Sequence, residues 1–516
     1  MYTPFPIYDF RSGLQLDREP WLLPSNAFQV AENCYFHKGR IYKRNGYEAF
    51  GQSSGGAGVT VLNTPPVMGI FEYNTTGGAS SLLALDKDFL YKYNTTNDDW
   101  EGQGGYPAVP DFTGDDDDFF WSVIWQDIIF FTNDVDNITY WNGAALTALN
   151  PAIGGTTLDA CKILINHKNK LIALNTNEGG TRYPQRARCS NTGSYASWSN
   201  DIYTDADTSE WIVSAAFVRD ELIVFFDKSV WWLRYTGDAT TPFAWHKIYS
   251  IDGSQATFST QNIKTNAITI GAKRFLQCDG INVAEMDQYI PEFILNMNLE
   301  KTKYAYGFLN QGLSQYLCTY PSQGASYPDE ALSYNYEDKC FSQYNNLPIH
   351  VAGYWTQGSS LIINDIDVTI DNIGWRIDDK NLTSGYPIII AGDRSGYTWK
   401  LFITANDNGA AVPFRIKTKR LIPYPDRISK LAYIDIWGIS GSQTLNIRID
   451  SDEKNRVFTS KMIDLYDFPR ARTRVRVKVM QKSEMGHTIE IKHERSTDPL
   501  IIDAIVPWFA PAGRLY

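Results

Sequence analysis

The sequence is poor in charge and lacks long apolar runs. Charged residues make up only 20% of the 516 residues, below the roughly 25% of an average globular chain. No uninterrupted apolar run approaches the ~18 residues that a membrane-spanning helix needs. The segment Met1–Phe10 has neither a basic region nor an apolar stretch, and its two prolines disfavour a helix. We therefore expect no signal peptide and no membrane span.

Cysteines and histidines are few and follow no pattern typical of a metal or redox site. No Cys-x-x-Cys pair occurs, so in so long a chain we expect buried cysteines in a reducing compartment. The six histidines show no metal-ligand spacing. The sequence thus predicts no metal ion and no cofactor. The cysteines are Cys34, Cys161, Cys189, Cys278, Cys318 and Cys340.

Recognisable catalytic motifs are also missing. There is no Gly-x-Ser-x-Gly elbow and no Walker loop, and the glycines of 55–58 lack the spacing of a dinucleotide site. The segment Asp393–Trp399 ends like a sialidase-type Asp box, but its aspartate stands one residue too early and the motif occurs once. We interpret it as a turn between strands. The sequence therefore predicts no catalytic residues and no enzyme.

Aromatic residues, in contrast, are abundant. Phe, Trp and Tyr together make up 14% of the chain, and hydrophobic residues make up 43%. Such a composition supports large cores and excludes a mainly disordered chain. The net charge of −11 argues against an overall field that attracts nucleic acid or anionic membranes.

Short strands of β-branched and aromatic residues, separated by Gly, Asn, Asp and Pro, dominate the middle of the chain. They group into a repeat in which an apolar strand is followed by a second strand that ends in an aromatic residue and a turn. The spacing is mostly near the ~40–50 residues of a propeller blade. We predict an all-β chain with a β-propeller of about six to eight blades, with a series of β-sandwiches as the alternative. The repeat units are Leu82–Asn94, Ile128–Gly143, Lys170–Trp198, Glu221–Gly237, Arg274–Val283, Leu332–Gln343 and Ile388–Phe402.

The two ends differ from this middle. We assign residues 1–58 to an irregular, proline-rich N-terminal arm with the first strands, and residues 59–408 to the propeller. Residues 409–516 contain longer, cleanly alternating strands, which predict an antiparallel β-sandwich-like platform domain. We expect residues 1–50 to pack on other subunits or on the adaptor above them, because their prolines and aromatics have no periodic partner within the segment.

Two runs of like charge remain. Asp115, Asp116, Asp117 and Asp118 form a four-carboxylate run, which lacks the spacing of a Ca²⁺ loop and is interpreted as a solvated loop. The strand Arg470–Val479 places five cations on one face and valines on the other. We favour a ladder to the acids of Asp450–Glu453 over contact with phosphates.

The segment Asn33–Tyr47, read Asn-Cys-Tyr-Phe-His-Lys-Gly-Arg-Ile-Tyr-Lys-Arg-Asn-Gly-Tyr, resembles a signature of the tail nozzle proteins of short-tailed phages. These proteins are also called tail tubular or packaged-DNA stabilisation proteins. The matching residues are Asn33, Gly39, Lys43, Arg44 and Gly46. Further similarity is spread along the chain, at Arg182–Ser190 with Trp198, Ser229–Gly237 with Phe243, Gly486–Lys492, Ile501–Val506 and Gly513 with Arg514.

This resemblance implies a structural role in a virion, in a protein assembled in the host bacterial cytoplasm. Such proteins carry a propeller with a platform domain and form a ring, usually a homohexamer, below the portal-bound adaptor. Tail fibres or tailspikes are the other expected partners, and viral DNA passes through the lumen without sequence-specific contact. An acidic wall repels DNA, so we expect Asp115–Asp118 to line that channel and the arginine strand to face protein.

Two other functions are compatible with a propeller. A carbohydrate-binding or glycosidase propeller, acting as a receptor-binding protein or depolymerase, would explain the many Trp and Tyr side chains. The missing repeated Asp boxes count against this alternative. An intracellular scaffold of the WD-repeat type would need a Gly-His and Trp-Asp spacing that the sequence lacks.

Overall fold

The computed structural model of the chain describes residues 2–51, 62, 66–102, 112–291, 293–356, 387–440, 444–451, 461–464, 473–479, 485–493 and 499–514. Within these ranges the chain is almost entirely β-structure, and the predicted all-β class is confirmed. The helical turns described are short 3-10 segments. They are Phe10–Ser12, Thr257–Ser259, Phe293–Asn296, Leu299–Tyr304 and Gln311–Leu313.

The middle of the chain forms antiparallel units of four strands, numbered here as blades in chain order. Blade 1 contains Gly69–Asn74, Ser80–Leu85, Leu90–Asn94 and Asp99–Gly102, and blade 2 contains Trp121–Trp125, Ile128–Thr132, Thr139–Trp141 and Leu146–Ala148. Blade 3 contains Thr156–His167, Lys170–Glu178, Thr181–Ser190 and Trp198–Asp205, with Ala152–Ile153 added beside its first strand. Blade 4 contains Ile212–Val218, Glu221–Phe226, Val230–Tyr235 and Phe243–Tyr249.

The ring continues through three more units. Blade 5 contains Gln261–Ile263, Asn266–Ile270, Phe275–Cys278 and Val283–Glu285, and blade 6 contains Tyr306–Asn310, Gln315–Tyr320, Glu330–Asn335 and Cys340–Asn345. Blade 7 contains Val351–Trp355, Ile388–Gly392, Thr398–Leu401 and, as its outer strand, Tyr47–Phe50. The first strands of successive blades contact one another, and that of blade 7 contacts that of blade 1. The predicted β-propeller is confirmed.

Two-residue turns join the first two strands of several blades. Gln126 and Asp127 in blade 2, and Arg219 and Asp220 in blade 4, all have φ between 51° and 67°. Two consecutive residues with positive φ are the mark of a type I′ turn, whose twist matches that of the flanking strands. The hairpin turns therefore fix the register of the innermost strands.

Two larger sheets form the rest of the molecule. The nine-stranded sheet continues blade 6 with Phe28–Glu32, Phe414–Thr418, His487–His493, Thr444–Ser451 and Lys461–Asp464. The seven-stranded sheet contains Cys34–His37, Arg40–Lys43, Leu500–Arg514, Arg427–Ser440 and Thr473–Lys478, with Thr3–Pro4 and Ile7–Tyr8 paired to its long strand. One continuous core with Phe28, Ile434, Ile489 and Ile502 joins the two sheets, so the predicted sandwich-like domain is confirmed. The remaining strands described, Asn406–Asp407 and Ala410–Ala411, form a hairpin.

The N-terminal segment packs on its own chain. Residues 2–27 are largely irregular, as expected, but Phe10 is fully buried, and Phe28 at the start of the next strand is buried with it in the core between the two sheets. Strands from residues 28–50 enter both large sheets and blade 7. For these buried residues the expectation of packing on other subunits is therefore wrong, and only the exposed side chains of the arm are left for such contacts.

All seven repeat units of the sequence analysis lie in separate blades. The six cysteines are buried and free, as predicted from the absence of a Cys-x-x-Cys pair. Burial raises the pKa of each thiol, so these cysteines are unreactive at neutral pH.

Asp287, just after the last strand of blade 5, is a fully buried acid. One carboxylate oxygen accepts a hydrogen bond from the Phe275 N–H at 3.3 Å. The other lies 3.8 Å from the guanidinium of Arg274 and accepts no hydrogen bond from the described residues. Burial outweighs these favourable contacts and raises the pKa of Asp287 to about 6.

We expect this acid to make the chain less stable as the pH rises from about 4 through 6. The folded state holds the proton more tightly than the unfolded state, so the stability it contributes below pH 4 is lost on deprotonation. Asp287→Asn can keep the hydrogen bond from Phe275, and should remove a loss on the order of 2 kcal/mol, since one pKa unit corresponds to about 1.4 kcal/mol. Urea denaturation at pH 4.5 and 7.5 measures this difference.

The matched control is Glu285→Gln, which changes an exposed acid that also lies 3.8 Å from Arg274. It should leave the pH dependence of stability nearly unchanged. An equal effect of both substitutions would show that the burial of Asp287 is not the cause.

Candidate functional site

Four of the five residues that carry the family resemblance lie where the arm meets the two domains. Arg44 is fully buried, and its guanidinium donates to both carboxylate oxygens of Asp407 at 2.8 and 2.7 Å. Its Nε donates to the Asn33 side-chain oxygen at 2.7 Å, and one terminal nitrogen reaches the carbonyl of Asn345 at 3.4 Å. Arg44 thus joins the arm to the end of blade 6 and to the hairpin after blade 7.

Asn33 completes this network from the other side. Its amide nitrogen donates to the carbonyl of Pro413 at 2.8 Å, and its oxygen also accepts the N–H of Asn345 at 3.0 Å. Asn33 adopts φ 50°, which asparagine tolerates better than most residues. The signature asparagine is therefore required both by the backbone and by its two-sided hydrogen bonding.

The remaining signature residues fit the same structural role. Lys43 is buried and its Nζ lies 3.4 Å from Nδ1 of His493. A Cβ at Gly46 would lie 1.9 Å from the carbonyl oxygen of Asn406, so no side chain fits there. Gly39, away from this network, has φ +75° in the turn between two strands of the seven-stranded sheet. All five positions serve packing or connection.

The acidic run lies on one face of the propeller. This face, called here the upper face, is where the first strand of each blade begins and the second strand ends, since the two run antiparallel. Asp115–Asp118 precede the first strand of blade 2. Lys87 and Arg394 follow the second strands of blades 1 and 7, and Lys303 precedes the first strand of blade 6.

Basic side chains of other blades pair with the acidic run. Asp116 lies 3.3 Å from Lys87 and 3.8 Å from Arg394. Asp117 contacts both Lys303 and the hydroxyl of Tyr304. Although Asp115 and Asp117 stay exposed, the run is more than the solvated loop expected from sequence, because it connects blades 1, 2, 6 and 7.

Aromatic rings from several blades meet beneath these acids. Phe119 lies within 6.0–6.4 Å, between ring centroids, of Phe258, Tyr304 and His350. These three residues precede the first strands of blades 5, 6 and 7. Side chains of blades 2, 5, 6 and 7 therefore contact one another across the ring at this level.

His350 is held inside this aromatic cluster. Its ring stacks on Tyr327 at 5.3 Å, and the guanidinium of Arg394 lies 3.3 Å from the centre of the Tyr327 ring. Burial, and secondly the charge of Arg394, lower the pKa of His350 to about 4. His350 is therefore neutral at physiological pH and contributes packing, not charge.

A second group of charges borders the axis on the same face. Burial raises the pKa of Asp118 and lowers that of Lys162, in each case disfavouring the charged form. Asp134, in the turn after the second strand of blade 2, pairs with Arg182 of blade 3. The raised pKa of Asp118 and its proximity to Asp134 could not be predicted from the sequence, because both depend on how the chain folds.

The cationic strand Thr473–Lys478 alternates as predicted, with Val477 buried and Arg474 and Arg476 exposed. Their partner, however, is Asp435 on the neighbouring strand: Arg474 donates to it at 2.7 Å, and Arg476 at 2.7 and 2.8 Å. Burial alone would raise the pKa of Asp435, but hydrogen bonds from Arg476, Trp508 and Arg474 outweigh it and lower the pKa to about 2.

The expected ladder to Asp450–Glu453 is therefore wrong for the described residues. Asp450 lies on the other sheet, where it pairs with Arg448 at 2.8 Å and Lys417 at 3.5 Å. The sequence could not reveal Asp435 as the partner, because it is a single acid in an apolar strand. Arg470, Arg472 and residues 452–453 lie outside the described residues.

The segment Asp393–Trp399, which ends like an Asp box, spans the turn between two strands of blade 7. Asp393 acts as a turn residue: its carboxylate accepts hydrogen bonds from the N–H groups of Ser395 and Tyr397 at 2.8 and 2.9 Å and from the indole N–H of Trp399 at 2.9 Å.

Among the described residues, no cluster of His, Cys, Asp or Glu could hold a metal ion. Nor does any described helix have the length and apolarity to cross a membrane.

Comparison with known proteins does not identify a family. No protein-family model matches the sequence, and no curated protein matches it. The similar solved structures include an exo-β-1,3-galactanase from Phanerochaete chrysosporium with galactose, at 10% identity and TM-score 0.24, covering 89% of this chain and all of that one. Another is the extracellular domain of a protein described as a hybrid two component system from B. thetaiotaomicron, at 9% identity and TM-score 0.33, covering 69% of this chain and 50% of that one. At such scores these likenesses carry no conclusion about function.

The Arg44–Asp407 pair gives a direct test of the structural role of the signature. Arg44→Met leaves the buried carboxylate of Asp407 without its guanidinium partner and removes one of the two hydrogen bonds to the Asn33 oxygen, and should lower the free energy of unfolding by about 3–5 kcal/mol. The double substitution Arg44→Met with Asp407→Leu should be less destabilised than Arg44→Met alone, because no unpaired charge stays buried. Chemical denaturation of the three variants measures both effects.

Arg11→Met is the matched control. Arg11 pairs with Asp9 at 2.7 Å, but both side chains are exposed, so water and salt screen the pair and it contributes little to stability. If Arg44→Met were as mild as Arg11→Met, the signature arginine would not be the structural connection described here.

Proposed function

We propose that the chain is a structural subunit of a ring-shaped assembly, the nozzle of a short phage tail. The observation that carries this proposal is the surface of the arm. Fifteen large hydrophobic side chains are exposed in the described residues, and five of them lie in the first 22 residues. Clustered exposed hydrophobic side chains of this kind mark protein–protein contact sites. The five are Tyr2, Tyr8, Leu16, Trp21 and Leu22.

These side chains are held in place. Thr3 and Ile7 pair with Phe509 and Ile505 of the seven-stranded sheet, so this part of the arm is a fixed part of the surface. A surface that is already ordered loses little conformational entropy when a partner binds. This supports a permanent assembly contact better than a flexible tail would.

The outer face of the seven-stranded sheet extends the same surface. Tyr2 contacts Tyr433 with ring centroids 5.6 Å apart, and Arg474 lies 5.6 Å from the ring centre of Trp437. Trp, Tyr and Arg are the residues enriched at the centres of protein interfaces. This composition supports the expectation that the arginine strand faces protein, either another copy of the chain or the portal-bound adaptor.

The role of the acids in DNA passage belongs to this proposal. A ring of chains that each carry a net charge of −11 repels DNA and allows it to move without sequence-specific contact. We keep Asp115–Asp118 as candidate channel-lining acids. Their pairing with Lys87, Lys303 and Arg394 reduces the field that they can supply, so other acids of the ring must contribute.

The proposal predicts assembly that depends on this surface. The purified chain should form a closed ring, with a mass close to six times 58.5 kDa for a hexamer, measured by sedimentation at increasing concentration. Trp21→Ala combined with Trp437→Ala should leave the fold intact and shift the protein at least tenfold towards monomer, because both tryptophans are exposed within the proposed contact surface.

Tyr235→Ala serves as the control, since Tyr235 is an exposed aromatic residue on blade 4, away from the arm. It should assemble like the natural chain. A chain that stays monomeric at every concentration, or a double variant that assembles normally, would contradict the proposed ring.

A carbohydrate-active propeller is the second candidate, and one observation favours it. Burial, and to a smaller extent the nearby charge of Asp134, raise the pKa of Asp118, and a raised carboxyl pKa is a feature of the general acid in glycoside hydrolysis. Release of reducing sugar from host polysaccharide that is abolished by Asp118→Asn, with an unchanged melting temperature, would support this function over the structural one. We expect no release, because the sequence carries no recognisable glycosidase motif.

A further inference from the structure

A pocket of about 460 Å³ lies between blades 5 and 6. It borders the arm, because the Leu16 N–H donates at 2.7 Å to the carbonyl of Tyr289, which lines the pocket. The turn after the first strand of blade 5 contributes Lys264 to its wall, and the third strand of that blade contributes Gln277. Tyr334 and Tyr336, at the end of the third strand of blade 6, form the opposite side. This volume suits a ligand the size of one or two sugar rings.

Three tyrosines give the pocket aromatic surfaces. Tyr334 is buried and packs against Phe341 at 4.8 Å, so its ring is fixed. Tyr336 is partly buried against the same core, and Tyr289 is exposed at the border. Rigid aromatic rings bury the C–H faces of a sugar at little cost in conformational entropy.

Side-chain amides provide unused hydrogen-bonding capacity beside these rings. Gln277 and Gln288 line the pocket, and neither side chain hydrogen-bonds to the described part of the chain. Each amide offers two donors and an acceptor with two lone pairs. Such groups match the hydroxyls of a sugar, which also donate and accept.

The charges around the pocket largely cancel. Lys264 lies 3.7 Å from Glu337 and over the Tyr336 ring, and Glu285 lies 3.8 Å from Arg274. Of the charged residues that line the described pocket, only Lys339 has no ion pair there. A strongly anionic or cationic ligand would therefore find few unpaired opposite charges in the pocket.

We propose that this pocket binds a neutral mono- or disaccharide, with Tyr336 stacking on the sugar ring and Gln277 binding its hydroxyls. The combination of fixed tyrosine rings, free amides and balanced charge carries this assignment. It does not depend on ring assembly, because all of these residues belong to one chain. A sugar-binding site on the propeller of a tail protein would add recognition of a glycan to a structural role.

Saturation-transfer NMR on the full chain tests the site, with maltose, lactose and N,N′-diacetylchitobiose as probes at millimolar concentration. We expect transfer from at least one of them, with a Kd that rises at least fivefold in Gln277→Ala and in Tyr336→Ala. The amide of Gln277 makes no internal hydrogen bond to described residues, so Gln277→Ala should fold normally and keeps the test valid if Tyr336→Ala does not. Tyr235→Ala, which removes an exposed tyrosine outside the pocket, should bind like the natural chain.

Three results would overturn the assignment. The first is the absence of transfer from all three disaccharides. The second is binding that Gln277→Ala leaves unchanged, which would place the sugar elsewhere on the molecule. The third is a tighter complex with glucuronate or glucose 6-phosphate than with any neutral sugar, which would show that charge and not the neutral polyol is recognised. Sedimentation of the same variants distinguishes this site from the assembly surface, since Gln277→Ala should not alter the oligomeric state.

Discussion

The buried ion pair between Arg44 and Asp407 is the contact on which the relation of arm, propeller and platform depends. These residues are separated by 363 positions in the sequence and meet in the interior, where the side chain of Arg44 is fully buried and that of Asp407 is 9% exposed. A buried guanidinium is stable only when its donors are hydrogen-bonded, and here Asn33, Asn45, Asn345 and Asp407 accept all five. The arm, the last two blades and the C-terminal sheets must therefore be correctly placed together. This requirement favours one arrangement of the domains over others with similar hydrophobic burial.

The propeller itself is stabilised differently, by the packing of each blade against its neighbours. Each blade buries both faces against its neighbours, so the ring is stable only when it is closed. At the upper face, aromatic side chains from several blades meet on the axis, and the acidic run pairs with basic residues around them. The acidic run, which the sequence analysis interprets as a solvated loop, thus stabilises contacts between blades. The platform differs, since its two sheets share one large apolar core that continues into blades 5 and 6.

Much of this architecture could be predicted from local pattern. The seven strand pairs and the alternating strands after residue 410 were predictable because the period of two, the turn residues and the aromatic strand ends are all encoded within a few residues. Contacts between distant segments were not. Nothing near Tyr47–Phe50 indicates that it pairs with Thr398–Leu401, and nothing near Arg474 points to Asp435 as its partner. The resemblance to nozzle proteins selected Asn33, Lys43, Arg44 and Gly46 as important, whereas only the three-dimensional contacts explain why these residue types are needed.

The origin of the outer strand of blade 7 has a consequence for biosynthesis. Tyr47–Phe50 emerges from the ribosome early, but its partner Thr398–Leu401 is translated about 350 residues later. At roughly 5–20 residues per second this interval lasts on the order of 20–70 s. During that time the edge of this strand lacks its partner, and unpaired strand edges invite pairing with other chains. Other copies of the same nascent chain, made on one messenger, are the nearest source of a matching strand, so the rate of translation becomes a factor in how much correctly closed protein a cell produces.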